Sequence, residues 1–156
     1  MILAIDPGPE ESAYVLWDGS RIVKHQKAVN ELICDAIMVK LLDADEMVVE
    51  QIASYGMPVG EEVFETVYWS GRFIQAFYAR LKPVFRVPRM NVKMHLCQSS
   101  RAKDANIRQA LIDRFGGKER AIGKKTSPGP LYGISGDVWA ALAVAVTWSD
   151  KKAVQA

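Results

Sequence analysis

Asp6 is the residue that most restricts what this chain can become. It closes a short apolar run, Ile2–Ile5, and Pro7, Gly8 and Pro9 follow at once. Such a run bounded by turn residues predicts a buried strand. A carboxylate at the end of a buried strand is costly unless something pairs with it. The pattern recurs: Met47–Glu50 is apolar and ends in an acid, and Asp137 opens the apolar stretch GDVWAALAVAVTW.

The segments between these acids define the order of elements. Ala13–Trp17 predicts a second strand, and Asp18–Ser20 signals a turn into a hairpin partner at Arg21–Val29. Asn30 is the expected N-cap of a helix with Leu32, Ile33, Ala36, Ile37 and Val39 at helical spacing. A Gly- and Pro-containing loop, ASYGMPVGEE, leads into a long helix from about Glu61 to Leu81. The apolar residues of that helix spread wider than one core stripe needs, so it can pack on the core and on a partner. Pro83–Val87 predicts another strand, and VPRMNVKMHLC leads into a short helix. Asp104–Phe115 reads as a helix with Asp104 as N-cap and Gly116-Gly117 as its stop. The basic stretch GGKERAIGKKTSPGPLYG is a loop about as long as compact domains tolerate without a function. The last helix begins near Ser135 and should be buried. Strands then alternate with helices, which predicts a single mixed α/β domain over 1–156.

Composition narrows the chemistry. The chain has 156 residues, 49% hydrophobic, which suits one globular domain. Cys34 and Cys97 are its only cysteines, which argues against a disulfide scaffold and for a cytosolic setting. No apolar run approaches the roughly 18 residues needed to span a bilayer, and the start lacks a basic leader. Net charge is +2, but residues 82–125 carry twelve Lys/Arg against three Asp/Glu, while the rest carries eight against fifteen. A basic block on an otherwise acidic chain points to a polyanionic partner.

Singly, each acid has an ordinary explanation. Asp6 can cap its own turn, Glu50 can be a surface charge at a strand end, and Asp137 can be a first-turn helix acid. Together, three carboxylates at the ends of buried elements need a cation among them. Clustered hard oxygen ligands suit Mg²⁺ or Mn²⁺. With only His25 and His95, and no paired cysteine spacing, the sequence argues against zinc and against a Ser-His-Asp or Cys-His nucleophile.

Five stretches, in order, resemble the RuvC-like Holliday-junction resolvases of the RNase H-like fold. They are ILAIDPGPEESAYVL, VVEQIASYG, GRFIQAFYARLKPVFRV, RAKDANIRQALI and GDVWAALAVAVT. The compact length and the last stretch are closest to the phage-encoded branch. The resemblance implies a five-stranded mixed sheet flanked by helices, with Asp6, Glu50 and Asp137 as ligands of two Mg²⁺ ions. It implies phosphodiester hydrolysis at four-way junctions, leaving 5′-phosphate and 3′-hydroxyl ends, in the host cytoplasm. Lys103 or Arg108 would neutralise charge on the phosphate. Arg101, Lys103, Arg108, Lys118, Arg120, Lys124 and Lys125 would hold DNA backbone, and Tyr55 would stack on unpaired bases. A homodimer through helix 61–81 suits two opposed cuts.

One position departs from that pattern. The family carries a second metal-binding side chain one helical turn after the first on the last helix, and here Ala140 stands there. Asp104 is a candidate replacement, with its cap role as the ordinary alternative. Two rival readings keep the same fold: a broader branched-DNA or RNA-hybrid nuclease, and a non-catalytic junction-binding protein. An actin-like or sugar-kinase-like ATPase needs two lobes and a second phosphate loop, for which the chain is too short.

Overall fold

The computed structural model describes residues 1–54 and 56–155, the side chain of Gln155 excepted. Three strands open the chain: β1 (Ile2–Asp6), β2 (Glu11–Trp17) and β3 (Ile22–Val29). Then come α1 (Asn30–Met38), β4 (Glu46–Gln51), α2 (Glu61–Tyr78) and β5 (Val84–Pro88). The rest comprises α3 (Arg89–Cys97), α4 (Asp104–Arg114), α5 (Lys118–Ala121), β6 (Gly123–Lys124), β7 (Ser127–Pro128) and α6 (Val138–Gln155).

Strand order in the main sheet is β3-β2-β1-β4-β5. Short connections make β1, β2 and β3 antiparallel. In the second turn, Asp18 Oδ1 accepts from the backbone N–H of Ser20 and of Arg21, each at 2.9 Å, which fixes the reversal. β4 is parallel to β1 and to β5, and α2 supplies the crossover between β4 and β5.

Side chains alternate across the sheet and build two cores. Leu3, Ile5, Met47 and Val49 meet Ile33 and Ile37 of α1 and Phe73 and Phe77 of α2. Ala4, Val15, Val48 and Val87 meet α6 and, beyond it, α4. α6 is enclosed between the sheet and helices α3 and α4, which explains its apolar residues all round: Ala141 to Val146 are each at most 1% exposed. Among the described residues, no helix is long and apolar enough to cross a membrane.

Several boundaries differ from the expected ones. α2 ends at Tyr78, three residues early, because the chain reverses through Leu81 at φ 57° just before Lys82-Pro83. α6 starts at Val138 rather than near Ser135, after a turn in which the Val138 N–H donates to the Ser135 carbonyl. Residues 116–133 are not a bare loop: they fold into α5 and the β6–β7 hairpin. Gly129 permits that lobe, since a Cβ there would lie 2.2 Å from the Arg120 carbonyl oxygen.

Candidate active site

Register brings the first two acids together. Ile5 pairs with Val49 across the parallel β1–β4 ladder, so Asp6 and Glu50 both follow at the same end of the sheet. They share the face of Ala4 and Val48, the face that α6 covers. The carboxyl ends of adjacent parallel strands are where open α/β sheets form their crevices. Asp137 enters from the N-terminal end of α6, and Asp104 from the first turn of α4. Glu50 is buried, Asp6 is half-buried, and Asp104 and Asp137 are exposed.

Two basic side chains already sit among these acids. Arg89, the first residue of α3, donates Nη1 to both Glu50 oxygens, at 2.9 and 3.1 Å. Its other terminal nitrogen pairs with Asp104. Lys27 Nζ lies 2.8 Å from Asp137 and 3.5 Å from Glu11. Asp104 is therefore not the N-cap: Lys103 takes that place, its N–H held at 2.8 Å by Asn106 Oδ1, and the Asp104 carboxylate turns to Arg89.

Burial, and then the negative charge of Glu50, push the Asp6 carboxyl from 3.8 up to about 8; Asp137 and Asp104 add to the rise, and Arg89 opposes it. Burial also raises Glu50, against the pull of Arg89 and Lys93. The site thus holds more negative charge than its own cations balance. Among the described residues, no three His, Cys, Asp or Glu side chains converge on a metal position. The cause is visible: Glu50 is turned to Arg89 and Asp137 to Lys27. The donor set still fits a hard divalent cation, being all carboxylate oxygen, and such an ion would take the place of the proton that burial keeps on Asp6.

The turn after Asp6 is held from behind. Asn30, fully buried, does not cap α1 as expected; Val29 stands at the cap. Asn30 Nδ2 instead donates to the Gly8 carbonyl at 3.0 Å, and its backbone N–H to the Glu10 carbonyl. Ser12 Oγ donates to Asn30 Oδ1 and accepts from the Gly8 N–H at 3.1 Å. This buried network fixes the chain just past Asp6. Asn30→Ala leaves Ser12 and the Gly8 carbonyl without their partner, so unfolding free energy should fall by about 1–3 kcal/mol in a urea titration.

The surroundings are polarised. Asp6, Asp137 and Lys27 open onto a cleft of about 850 Å³ that Glu10, Glu11, Glu61, Glu62 and Glu65 also line. A separate groove of about 570 Å³ carries Arg108, Lys118 and Trp139 beside Asp104 and Gly136. The Arg108 guanidinium lies 5.0 Å from the Trp139 ring centre. Lys103 is exposed next to Asp104, and Arg101, Arg120, Lys124 and Lys125 are exposed around α4 and the β6–β7 hairpin. Tyr55 lies outside the described residues.

Sequence reasoning missed Arg89, Lys27 and Lys93. Register could have found Lys27: Asp6 pairs with Ala13, and Ala13 with Lys27, so the three form one row across the sheet. Arg89 had a fainter signal, a base just past the strand that neighbours Glu50.

No protein-family model matches this sequence, and no curated protein matches it. The structure does have close counterparts in shape. Thermus thermophilus RuvC matches with a TM-score of 0.73 at 17% identity, over 99% of this chain and 96% of that one. T. thermophilus RuvC in complex with a Holliday junction substrate matches with the same score and identity, over 95% of that chain. The yeast mitochondrial Holliday junction resolvase Ydc2 matches with a TM-score of 0.61 at 13% identity, over 97% of this chain and 78% of that one. The fold is RNase H-like: a mixed five-stranded sheet flanked by helices.

Proposed function

We propose that this chain is a divalent-metal-dependent endonuclease that cuts four-way DNA junctions by phosphodiester hydrolysis. The observation that carries the reading is the fold shared with junction resolvases, on which Asp6 and Glu50 end adjacent parallel strands with Asp137 near enough to raise the Asp6 pKa. Asp6, Glu50 and Asp137 would hold Mg²⁺, with Mn²⁺ as a substitute. An ion held there supplies Lewis acidity to a phosphate oxygen and lowers the pKa of a water. A two-ion scheme needs a further ligand on α6, and Ala140 offers none.

The chain's own residues do the rest. Glu50, clamped by Arg89, presents its carboxylate in a fixed direction. Lys103, at the N-terminus of α4, stands where it can meet the scissile phosphate as charge builds there. Arg108 and Lys118 line a groove that takes backbone phosphate, while Arg101, Arg120, Lys124 and Lys125 extend the positive surface. Glu61, Glu62 and Glu65 line the same cleft as Asp6 and Asp137 and would repel a duplex lying over that wall, which biases its approach toward the basic groove. Both cysteines are free, which suits a reducing cytoplasm.

Two cuts on opposed strands call for two sites. The outer face of α2 offers an interface: Phe64, Val67 and Tyr68 are each more than half exposed, on the side away from Phe73 and Phe77. A homodimer through this face would cover them. Phe64→Glu with Tyr68→Glu should convert a dimer to a monomer in sedimentation and uncouple the two nicks; unchanged sedimentation would exclude α2 as the contact.

A substrate panel tests the activity. End-labelled four-way junction, its linear duplex, a flap and an RNA–DNA hybrid are each incubated with and without Mg²⁺. The expected result is paired nicks in the junction only with Mg²⁺. Equal cutting of all four would make this a general nuclease, and binding without cutting a junction-binding protein.

A further inference from the structure

We propose that Arg89 is a built-in positioning cation that takes the place of a second metal ion, so that each chain binds one divalent ion. The inference rests on the metal-site reading above and concerns how this chain fills that site. Geometry carries it. One guanidinium bridges Glu50 and Asp104, which come from β4 and α4. A cavity of about 60 Å³ is bounded by Glu50, Arg89, Asp104, Asp137 and Ala140. The methyl group of Ala140 brings no oxygen to it, and the wall that would have to complete a second ligand set is Arg89.

Charge agrees with geometry. Once a bound ion displaces the proton that burial keeps on Asp6, the four carboxylates of Asp6, Glu50, Asp104 and Asp137 stand against Arg89 and Lys27, which leaves two negative charges. Further out, Lys93 acts on Glu50, while Glu10, Glu11, Glu61, Glu62 and Glu65 line the open cleft beside Asp6. One divalent ion balances the inner set. A second would have to enter beside a guanidinium that already occupies Glu50 and Asp104, against like-charge repulsion. Arginine suits the post better than lysine, because its planar fork reaches both carboxylates at once.

The test is Mn²⁺ binding to the full chain, counted by calorimetry and by the loss of the free-Mn²⁺ paramagnetic resonance signal. Wild type should bind one ion. Arg89→Gln frees Glu50 and Asp104, and should take a second ion or bind the first about tenfold tighter, the lower end of what releasing a charge-assisted pair yields. Arg89→Lys should remain at one ion. Ala140→Asp combined with Arg89→Gln should bind two, which keeps the test alive should the single variant fold poorly. Two ions on wild type, or an Arg89→Gln variant with unchanged count and affinity, would overturn the proposal. Failure to cut junctions, with the ion count and the Arg89 effect intact, would remove the nuclease reading and leave this one standing.

Discussion

Asp6→Asn should abolish cleavage, lowering the rate by more than about a hundredfold, while junction affinity stays near wild type. Groups that merely support a metal ligand are already worth about 10–100-fold, so a ligand is worth at least that. Binding survives because the proposed phosphate contacts lie in the groove of Arg108 and Lys118, whose lining does not include Asp6. The same substitution should raise the melting temperature in EDTA. Burial and three neighbouring carboxylates make ionised Asp6 costly, and a neutral amide removes that cost. Each kcal/mol recovered is worth about 2–4 °C in a domain of this size. A purely structural carboxylate would behave in the opposite way, since its loss destabilises. Scanning calorimetry and a junction-cutting assay on one preparation separate the two roles. Normal turnover, or a lower melting temperature in EDTA, would take Asp6 out of the metal site.

The second large effect is the joint dependence on pH and metal. Asp6 has a folded pKa of about 8 against an ordinary 3.8, so between those values the native chain holds a proton that the unfolded chain has released. Metal-free stability therefore stands at its full value below about pH 4, falls as pH rises, and levels off above about 8. Burial acts on Glu50 in the same direction. A divalent ion reverses the trend, because it binds the ionised carboxylate and displaces the proton. Melting curves in EDTA should drop from pH 5 to pH 8, and Mg²⁺ should raise them most at the alkaline end. At limiting Mg²⁺, cleavage should rise with pH to about 8 and then flatten. EDTA should stop it at every pH. A stability profile flat in EDTA, or cutting that survives chelation, would contradict the shared charge on Asp6.

Much of this was legible in the chain because strand ends and apolar runs are local signals. Ile2–Ile5, Met47–Glu50 and the apolar helix after Asp137 place their acids without knowledge of distant partners, and the sheet follows from short hairpins and two helical crossovers. What escaped was set by contacts far apart in sequence. Asn30 looks like a cap until Gly8 and Ser12 are folded against it, where it serves the turn beside Asp6. Asp104 likewise has the right type and position for a cap, but Arg89, at the end of a different strand, claims its carboxylate. The cation that three converging acids require was expected as a metal alone. Arg89 and Lys27 hold part of that charge, and only register across five strands brings them there. The expected loop at 116–133 concealed a hairpin for a similar reason: Gly123 and Gly129 permit backbone approaches that composition does not reveal.

The most direct measurement is anomalous scattering from a crystal of the protein soaked in Mn²⁺. The expected map has one strong peak, with oxygens of Asp6, Glu50 and Asp137 at about 2.0–2.2 Å, near the distances of small hard divalent ions, and with Arg89 still on Glu50. A map without density among those three side chains, and with Asp137 still paired to Lys27, would contradict the assignment.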